Sequence, residues 1–294
     1  MKLVTNTYHL VSRLGAEEAI RLLANAGFDG IDWTFSQDMG EGSPWLADNW
    51  QEHARRLRSI ADSCGVSFRQ AHAPVPSSKG DAVFDEAVKQ KILRAMEASA
   101  ALGIEYIIVH PKQHLPYREN REYLFDESVE FYKSLLPYCE SWGIKICTEN
   151  MWQRNKSTRV IEESVCAPPE EFRDMIDAVG SPFLTGCLDL GHCGLVGQDP
   201  ARAVRVLGHD RVSALHVHDV DLVEDSHTIP FGGKLDWDSI TTALAEIDYK
   251  GDFTFEPNGY FHNTPTALWA DGAKFLTQTG RYLMAQIESK RSAK

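Results

Sequence analysis

Six short apolar segments of this sequence end in a side chain that can hold a divalent cation. They are Gln70-Ala71-His72, Val109-His110, Cys147-Thr148-Glu149, Leu188-Asp189, Leu215-His216-Val217-His218 and Phe255-Glu256. Imidazole and carboxylate together suit metals of intermediate hardness. Taken singly, each of these residues is an ordinary loop-capping carboxylate or hydrogen-bonded core histidine. Six in succession are different, because carboxylates crowded into one mouth repel and a bound cation neutralises them. A metal that chelates adjacent carbonyl and hydroxyl oxygens acidifies the C–H between them and stabilises an enediolate. One of the glutamates Glu149 and Glu256 can then remove the proton and a carboxylate opposite can return it. Return to the other face gives epimerisation; return to the neighbouring carbon gives aldose–ketose isomerisation.

Residues so scattered in sequence need a scaffold that gathers strand ends, and the chain carries the pattern of one. Segments of helical period end at Gly27, Gly65, Gly103, Gly143, Gly180, Gly208 and Gly251, and a short apolar strand begins within a few residues of each. Glycine suits the position just past a helix, which commonly needs positive φ. With Leu3-Val4-Thr5 at the start, the strands number eight. Amphipathic helices are expected at 16–26, 50–64, 84–102, 127–142 and 169–179. Strands alternating with helices imply parallel pairing, and eight such units close a barrel. An open doubly wound sheet would advertise a Gly-rich phosphate loop, and neither GxGxxG nor a Walker A pattern is present. The expectation is an α/β fold, a single closed (β/α)8 TIM barrel, with 1–294 as one domain. Long strand-to-helix connections are expected at 34–48, 111–125, 150–168, 219–236 and 257–266. They gather at the strand C-terminal ends, where such barrels carry their sites. In strand eight, alternation turns Asp252, Thr254 and Glu256 inward and Phe253 and Phe255 towards the helices.

Composition narrows the function classes. The chain has 294 residues and sets 30 Lys and Arg against 42 Asp and Glu, a net charge of −12 that repels a phosphate backbone. No nucleic-acid partner is expected. No apolar run approaches the roughly 18 residues that span a bilayer, so no membrane partner is expected either. The six cysteines form no CxxC pair, and residues 1–6 read as a strand rather than an export segment. Both features predict reduced thiols and a cytoplasmic protein. Nothing in the sequence bars assembly into a homo-oligomer.

The stretches Thr148-Glu149-Asn150, Leu188-Asp189-Leu190-Gly191-His192, His216-Val217-His218-Asp219 and Phe255-Glu256-Pro257 resemble the xylose-isomerase-like TIM-barrel superfamily. The segment from His227 to Trp237 resembles its H-x-x-P-G-x-G-x-[IL]-D-W loop, with Phe231 in place of the first glycine. The match runs nearly the whole chain in order. That superfamily holds ketose 3-epimerases, other sugar isomerases, inosose dehydratases and the endonuclease IV family. Resemblance to the epimerases implies one divalent ion (Mn, Mg, Co or Zn) held by Glu149, Asp189, His216 and Glu256. The resemblance implies His216 rather than His218 as the ligand, since the family's ligand is the first histidine of the H-x-x-D pattern, which leaves His218 to packing or support. The resemblance implies that His192 binds a substrate hydroxyl. His72, His110, His227, Trp152 and Lys112 are further candidates for substrate contact. Trp33, Phe231 and Tyr260, with Trp152, are candidates to cover the apolar face of a sugar.

Two rivals share the fold. An inosose-type dehydratase begins with the same proton abstraction and ends in elimination. A multi-zinc hydrolase of the endonuclease IV type has additional ligands at positions matched here by His72, His110, Asp225 and His227. Acidic runs at 38–41 and 219–225 in the mouth loops oppose DNA, which binders track with Lys and Arg. A sugar-binding protein with a vestigial site would not keep four ligands and both bases. The sequence therefore points to a metal-dependent sugar isomerase or epimerase acting on a small sugar or polyol.

Overall fold

The computed structural model describes residues 1–36 and 38–292. Eight parallel strands form the barrel: β1 Leu3–Asn6, β2 Gly30–Thr34, β3 Ser67–His72, β4 Tyr106–Ile108, β5 Lys145–Glu149, β8 Leu184–Asp189, β9 Val212–His216 and β10 Phe253–Phe255. Two further strands, β6 Trp152–Arg154 and β7 Ile161–Glu163, make an antiparallel hairpin above β5. Barrel neighbours follow chain order from β1 to β9, and β10 returns to β1 with Leu3 opposite Phe253. The last gap closes just beyond β9. There the Val217 amide donates to the Thr254 carbonyl at 2.8 Å, and the Glu256 amide donates to the Val217 carbonyl at 3.1 Å. All eight expected strands are present.

Alternation sorts the strands into two packed layers. Leu3, Ile31, Trp33, Phe253 and Phe255 face outward and are buried under the helices. Inside the barrel, Ile108, Cys147, Cys187 and Ala214 form a separate small apolar plug. The interior also holds polar residues: Gln70 donates to Asp32 at 3.2 Å and accepts from Thr254 at 3.2 Å. The final helix, Trp269–Ser292, spans the seam between the chain's two ends: Thr277 bonds the Ala26 carbonyl, and Arg281 grips both Asp29 oxygens at 2.8 Å. Among the described residues all six cysteines are free, and no helix is long and apolar enough to cross a membrane.

The helices Ala16–Ala26 and Pro169–Val179 match expectation to the residue, and each ends on a left-handed glycine. Two expectations fail, and two of the expected connections carry short elements of their own. The fourth connection ends at Pro116 rather than running to 125, because a helix already begins at Tyr117 and continues to Trp142 past a non-helical Asn120. Residues 150–168 hold the β6–β7 hairpin, and 257–266 hold a short helix, Asn258–Asn263. Gly251 does not end a helix; that helix stops at Glu246, and Asp248 takes the left-handed turn at φ 53. Gly251 is instead a point of close approach, where a Cβ would lie 2.2 Å from the Tyr249 hydroxyl.

Candidate active site

Glu149 ends β5, Asp189 ends β8, His216 ends β9, and Glu256 follows β10, so the barrel brings four distant residues to one rim. All four are buried, and one donor atom from each lies within 4.8 Å of every other. His216 Nδ1 is the common point, at 3.1 Å from Glu149, 3.3 Å from Glu256 and 3.8 Å from Asp189. Local sequence explains the placement. Asn150 staples β5 to β8, accepting from the Asp189 amide at 2.8 Å and donating to its carbonyl at 2.9 Å. Asp189 also caps the next helix by accepting from the His192 amide, which fixes the carboxylate's direction. Gly191 is obligatory for a steric reason: a Cβ there would overlap the His218 ring at 2.1 Å.

Two further clusters flank this tetrad. On one side His72 and His110 approach Glu149, their Nε2 atoms 2.9 Å apart, so one ring donates and the other accepts. On the other side His192, His218, Asp225 and His227 converge, with His227 Nε2 3.0 Å from Asp225 and its ring stacked on His218 at 3.8 Å. His218 is fully buried and lies 3.0 Å from an Asp189 oxygen, a supporting position. The sequence reading missed Asp32, which sits beneath the tetrad with one oxygen 3.7 Å from His216 Nε2. A carboxylate behind an imidazole orients the ring and raises its basicity.

These groups are polarised across the mouth. Burial pushes the Glu149 carboxyl upward, but the His216 and His110 rings outweigh it and hold the group well below the usual carboxylate range. Burial, reinforced by His110, drops His72 to about 3. Burial also depresses His227, yet the Asp225 and Glu256 carboxylates lift it to about 10. Glu149 Oε2, His216 Nε2, His218 Nδ1, Asp32 Oδ1 and Asp225 Oδ1 are buried without a well-aimed hydrogen bond. Buried polar atoms are normally satisfied. The orphaned Glu149 oxygen, on a set of three carboxylates and an imidazole whose ligand atoms lie within 4.8 Å of one another, fits a divalent cation.

Above the tetrad lies a cavity of about 490 Å³, lined by Trp152, Tyr8, Gln113, Gln153 and Asn258 among others, and by no Lys or Arg among the described residues. Of the sequence candidates, His72, His110, Glu149, Trp152, His192, Asp225, His227 and Glu256 line it. Lys112 does not. Its ammonium lies 3.9 Å from Asp85 and 5.8 Å from the Phe131 ring centre, drawn away by a carboxylate and an aromatic face. Trp33 is also excluded, because strand parity turns it outward against Trp45 and Phe68. Phe231 and Tyr260 pack elsewhere, Phe231 between Trp237 and Tyr282 and Tyr260 against Phe261. Tyr8, Met151, Gln113, Gln153 and Asn258 gave no sequence signal, since they sit in loops or in elements too short for a period to show.

The loop carrying Asp225 and His227 is organised by Asp219. This buried carboxylate accepts from the amides of Val220, Phe231 and Leu235 and from the Trp237 indole, at 2.8–3.1 Å. It also explains how Phe231 replaces a glycine: the bonded amide holds the backbone left-handed at φ 71 despite the side chain. Asp219→Ala strands four donors. It should cost roughly 3 kcal/mol of stability in urea unfolding, whereas a change under about 0.5 kcal/mol would show the loop is held by other contacts.

With the geometry in place, the chain can be set beside known proteins. It is 27% identical over 248 residues to L-ribulose 3-epimerase of Methylomonas sp. (strain DH-1), covering 83% of this chain and 79% of that protein. A crystal structure of D-psicose 3-epimerase in the presence of D-fructose superposes with a TM-score of 0.75 at 20% identity, covering 96% of this chain and 99% of the other. A D-tagatose 3-epimerase-like protein gives 0.74 at 21% identity, covering 98% and 100%. Those two likenesses establish the fold alone. A family described as xylose isomerase-like TIM barrel matches residues 20–279. The chain belongs to that family.

Proposed function

We propose that this protein is a divalent-metal-dependent sugar epimerase or isomerase that moves a proton beside a carbonyl, with 1–294 acting as one domain. The observation that carries the reading is the convergence of Glu149 and Glu256, from opposite sides of the mouth, on His216 Nδ1. Glu149, Asp189, His216 and Glu256 would hold the ion, whose contribution is Lewis-acid polarisation of a carbonyl. The two glutamates approach a substrate from different faces, so one can take the proton and the other return it. His192, fixed by the Asn150 carbonyl at 2.9 Å, turns its other nitrogen towards Asp225 and the cavity, where it can bind a hydroxyl. Trp152 stands edge-on to His192 and offers an apolar wall. A cavity wall without Lys or Arg suits an uncharged sugar better than a phosphorylated one. The sequence relative named L-ribulose 3-epimerase favours epimerisation over aldose–ketose exchange.

The test is proton exchange. Protein reconstituted with Mn²⁺, Mg²⁺, Co²⁺ or Zn²⁺ is incubated in D₂O with D-fructose, D-allulose, D-tagatose and their aldose isomers. NMR should show deuterium entering the carbon beside the carbonyl, together with the C3 epimer. No exchange with any sugar at full metal loading overturns the reading, and a dehydrated product from an inosose replaces it with elimination.

One observation favours a second reading. The flanking clusters place His72, His110, Asp225 and His227 beside the tetrad, the arrangement a multi-zinc hydrolase needs. Three zinc per chain with incision of abasic DNA would establish it; a single ion without incision excludes it.

A further inference from the structure

The two oxygens of Glu256 have different neighbours. Oε2 is the one nearest the imidazoles, 3.3 Å from His216 Nδ1 and 3.7 Å from His227 Nδ1. Oε1 is held by an amide instead: Asn258 Nδ2 donates to it at 3.4 Å. Asn258 in turn accepts at its own oxygen from Asn6 Nδ2, at 3.1 Å. Asn6 is the buried last residue of β1, whereas Asn258 opens the short helix after β10 and lines the mouth cavity. The two amides therefore meet across the seam where the barrel closes.

The backbone holds Asn258 in place on its own side of that seam. A Cβ on Gly259 would overlap the Ser226 carbonyl, and the Tyr260 amide donates to the His227 carbonyl at 3.1 Å. The start of the helix is thus pressed onto the loop that carries Asp225 and His227. The side chains then have only one workable direction. An ionised carboxylate accepts and cannot donate, so Asn258 turns its nitrogen to Glu256 and its oxygen to Asn6, and Asn6 must be the donor. Reversing either amide alone sets two acceptor oxygens against each other. A glutamate that takes or returns a proton must present its oxygen in a fixed direction, and its several side-chain torsions leave that direction open until something binds it.

We propose that Asn258 is a positioning residue that fixes the direction of Glu256 Oε1 in the cavity, and that Asn6 sets the direction of the Asn258 amide from outside the cavity wall. This proposal rests on the two-glutamate reading and adds two residues to it. Oε2 is left to face His216, and Oε1 is the oxygen turned to the substrate.

A mutant cycle on the metal-loaded full chain tests it. Exchange of the C3 proton of D-fructose, D-allulose and D-tagatose in D₂O gives kcat and KM, and calorimetry gives the affinity for Mn²⁺. Asn258→Leu should lower kcat about tenfold, the worth of one hydrogen bond to a charged group, with KM within about threefold of the parent. Asn6→Asp keeps the size of the side chain but cannot donate. The Asn258 amide then turns over and shows Glu256 its oxygen, so kcat should fall at least as far. In the Asn258→Leu background the same change at position 6 should have no further effect, because the pair acts as one unit. Melting temperatures check that each variant is folded, and Asn6→Leu, which removes the donor without adding a charge, repeats the cycle if Asn6→Asp unfolds. An unchanged kcat in Asn258→Leu, or a raised KM alone, overturns the proposal and leaves the epimerase reading intact. Equal losses from the position 6 change in both backgrounds overturn the role of Asn6. If the parent exchanges none of the sugars, the reaction assigned to the tetrad falls and the cycle is read from Mn²⁺ affinity. A glutamate freed of its amide must be ordered when the ion binds, so a coupled loss of about threefold then supports the positioning and an unchanged affinity overturns it.

Discussion

Glu149→Gln and Glu256→Gln should each lower kcat by about 10²–10⁴ while leaving KM within a few-fold of the parent enzyme. That range is the usual contribution of a positioned acid or base, and a loss confined to kcat marks an interaction made only in the transition state. Glutamine keeps the side chain's shape and one oxygen, but it cannot take a proton at neutral pH. Both positions are buried on the His216 ring, so the substitutions change proton capacity more than packing. Deuterium incorporation at the carbon beside the carbonyl should fall in step with kcat. Metal content must be measured alongside, because both residues belong to the proposed ligand set. Near-normal kcat in both metal-loaded variants, with no deuterium incorporation by the parent, would refute the two-glutamate mechanism.

The second large effect concerns the metal. Three buried carboxylates around one imidazole repel one another when no cation is present. An ion that binds the native state alone stabilises it by about 2.7 kcal/mol at a hundred times its Kd. For a chain of this size that is a rise of several degrees in Tm on adding Mn²⁺ or Co²⁺, reversed by a chelator. Asp189→Ala and His216→Ala should abolish the rise and weaken metal binding by calorimetry at least tenfold. An unchanged affinity in both variants removes these residues from the ligand set. Affinity should also fall as pH drops, because the ion competes with a proton for His216, which burial depresses but its acidic neighbours, Glu256 and Glu149 among them, hold well above the ordinary imidazole range.

The barrel was legible because its signals are local and repeated. Short apolar runs, most of them following a helix-ending glycine, locate strands without tertiary knowledge, and a histidine or carboxylate at such an end declares itself. What failed depended on neighbours that sequence does not reveal. Trp33 read as a mouth aromatic, but Asp32 beside it takes the inward position and parity sends the indole to the helices. Lys112 stands four residues past β4 and still misses the cavity, because Asp85, distant in sequence, draws its ammonium away. Strands β6 and β7 are three residues each and half-exposed, too short for alternation to show. The role of Asp219 was hidden because its donors are spread from Val220 to Trp237. Chemistry that one strand presents can be read from a sequence; chemistry that several loops assemble cannot.

The pairing of β1 with β10 sets the order in which this protein can be made. The Lys2 amide bonds the Asp252 side chain across 250 residues of chain, and Leu3 lies opposite Phe253. On a ribosome, β1 emerges long before β10, and the edge that pairs with β10 stays open until that strand has been synthesised. Closure at such separation is slow, since loop entropy is lost before the contacts that reward it form. An exposed strand edge on a nascent chain is also a template for aggregation. The burden falls on the final helix. Its Thr277 and Arg281 tie to the Ala26 and Asp29 carbonyl and carboxylate beside β2, so closure is locked only when the last two dozen residues arrive. Expression should therefore respond to elongation rate and chaperone supply more than to changes in the tetrad.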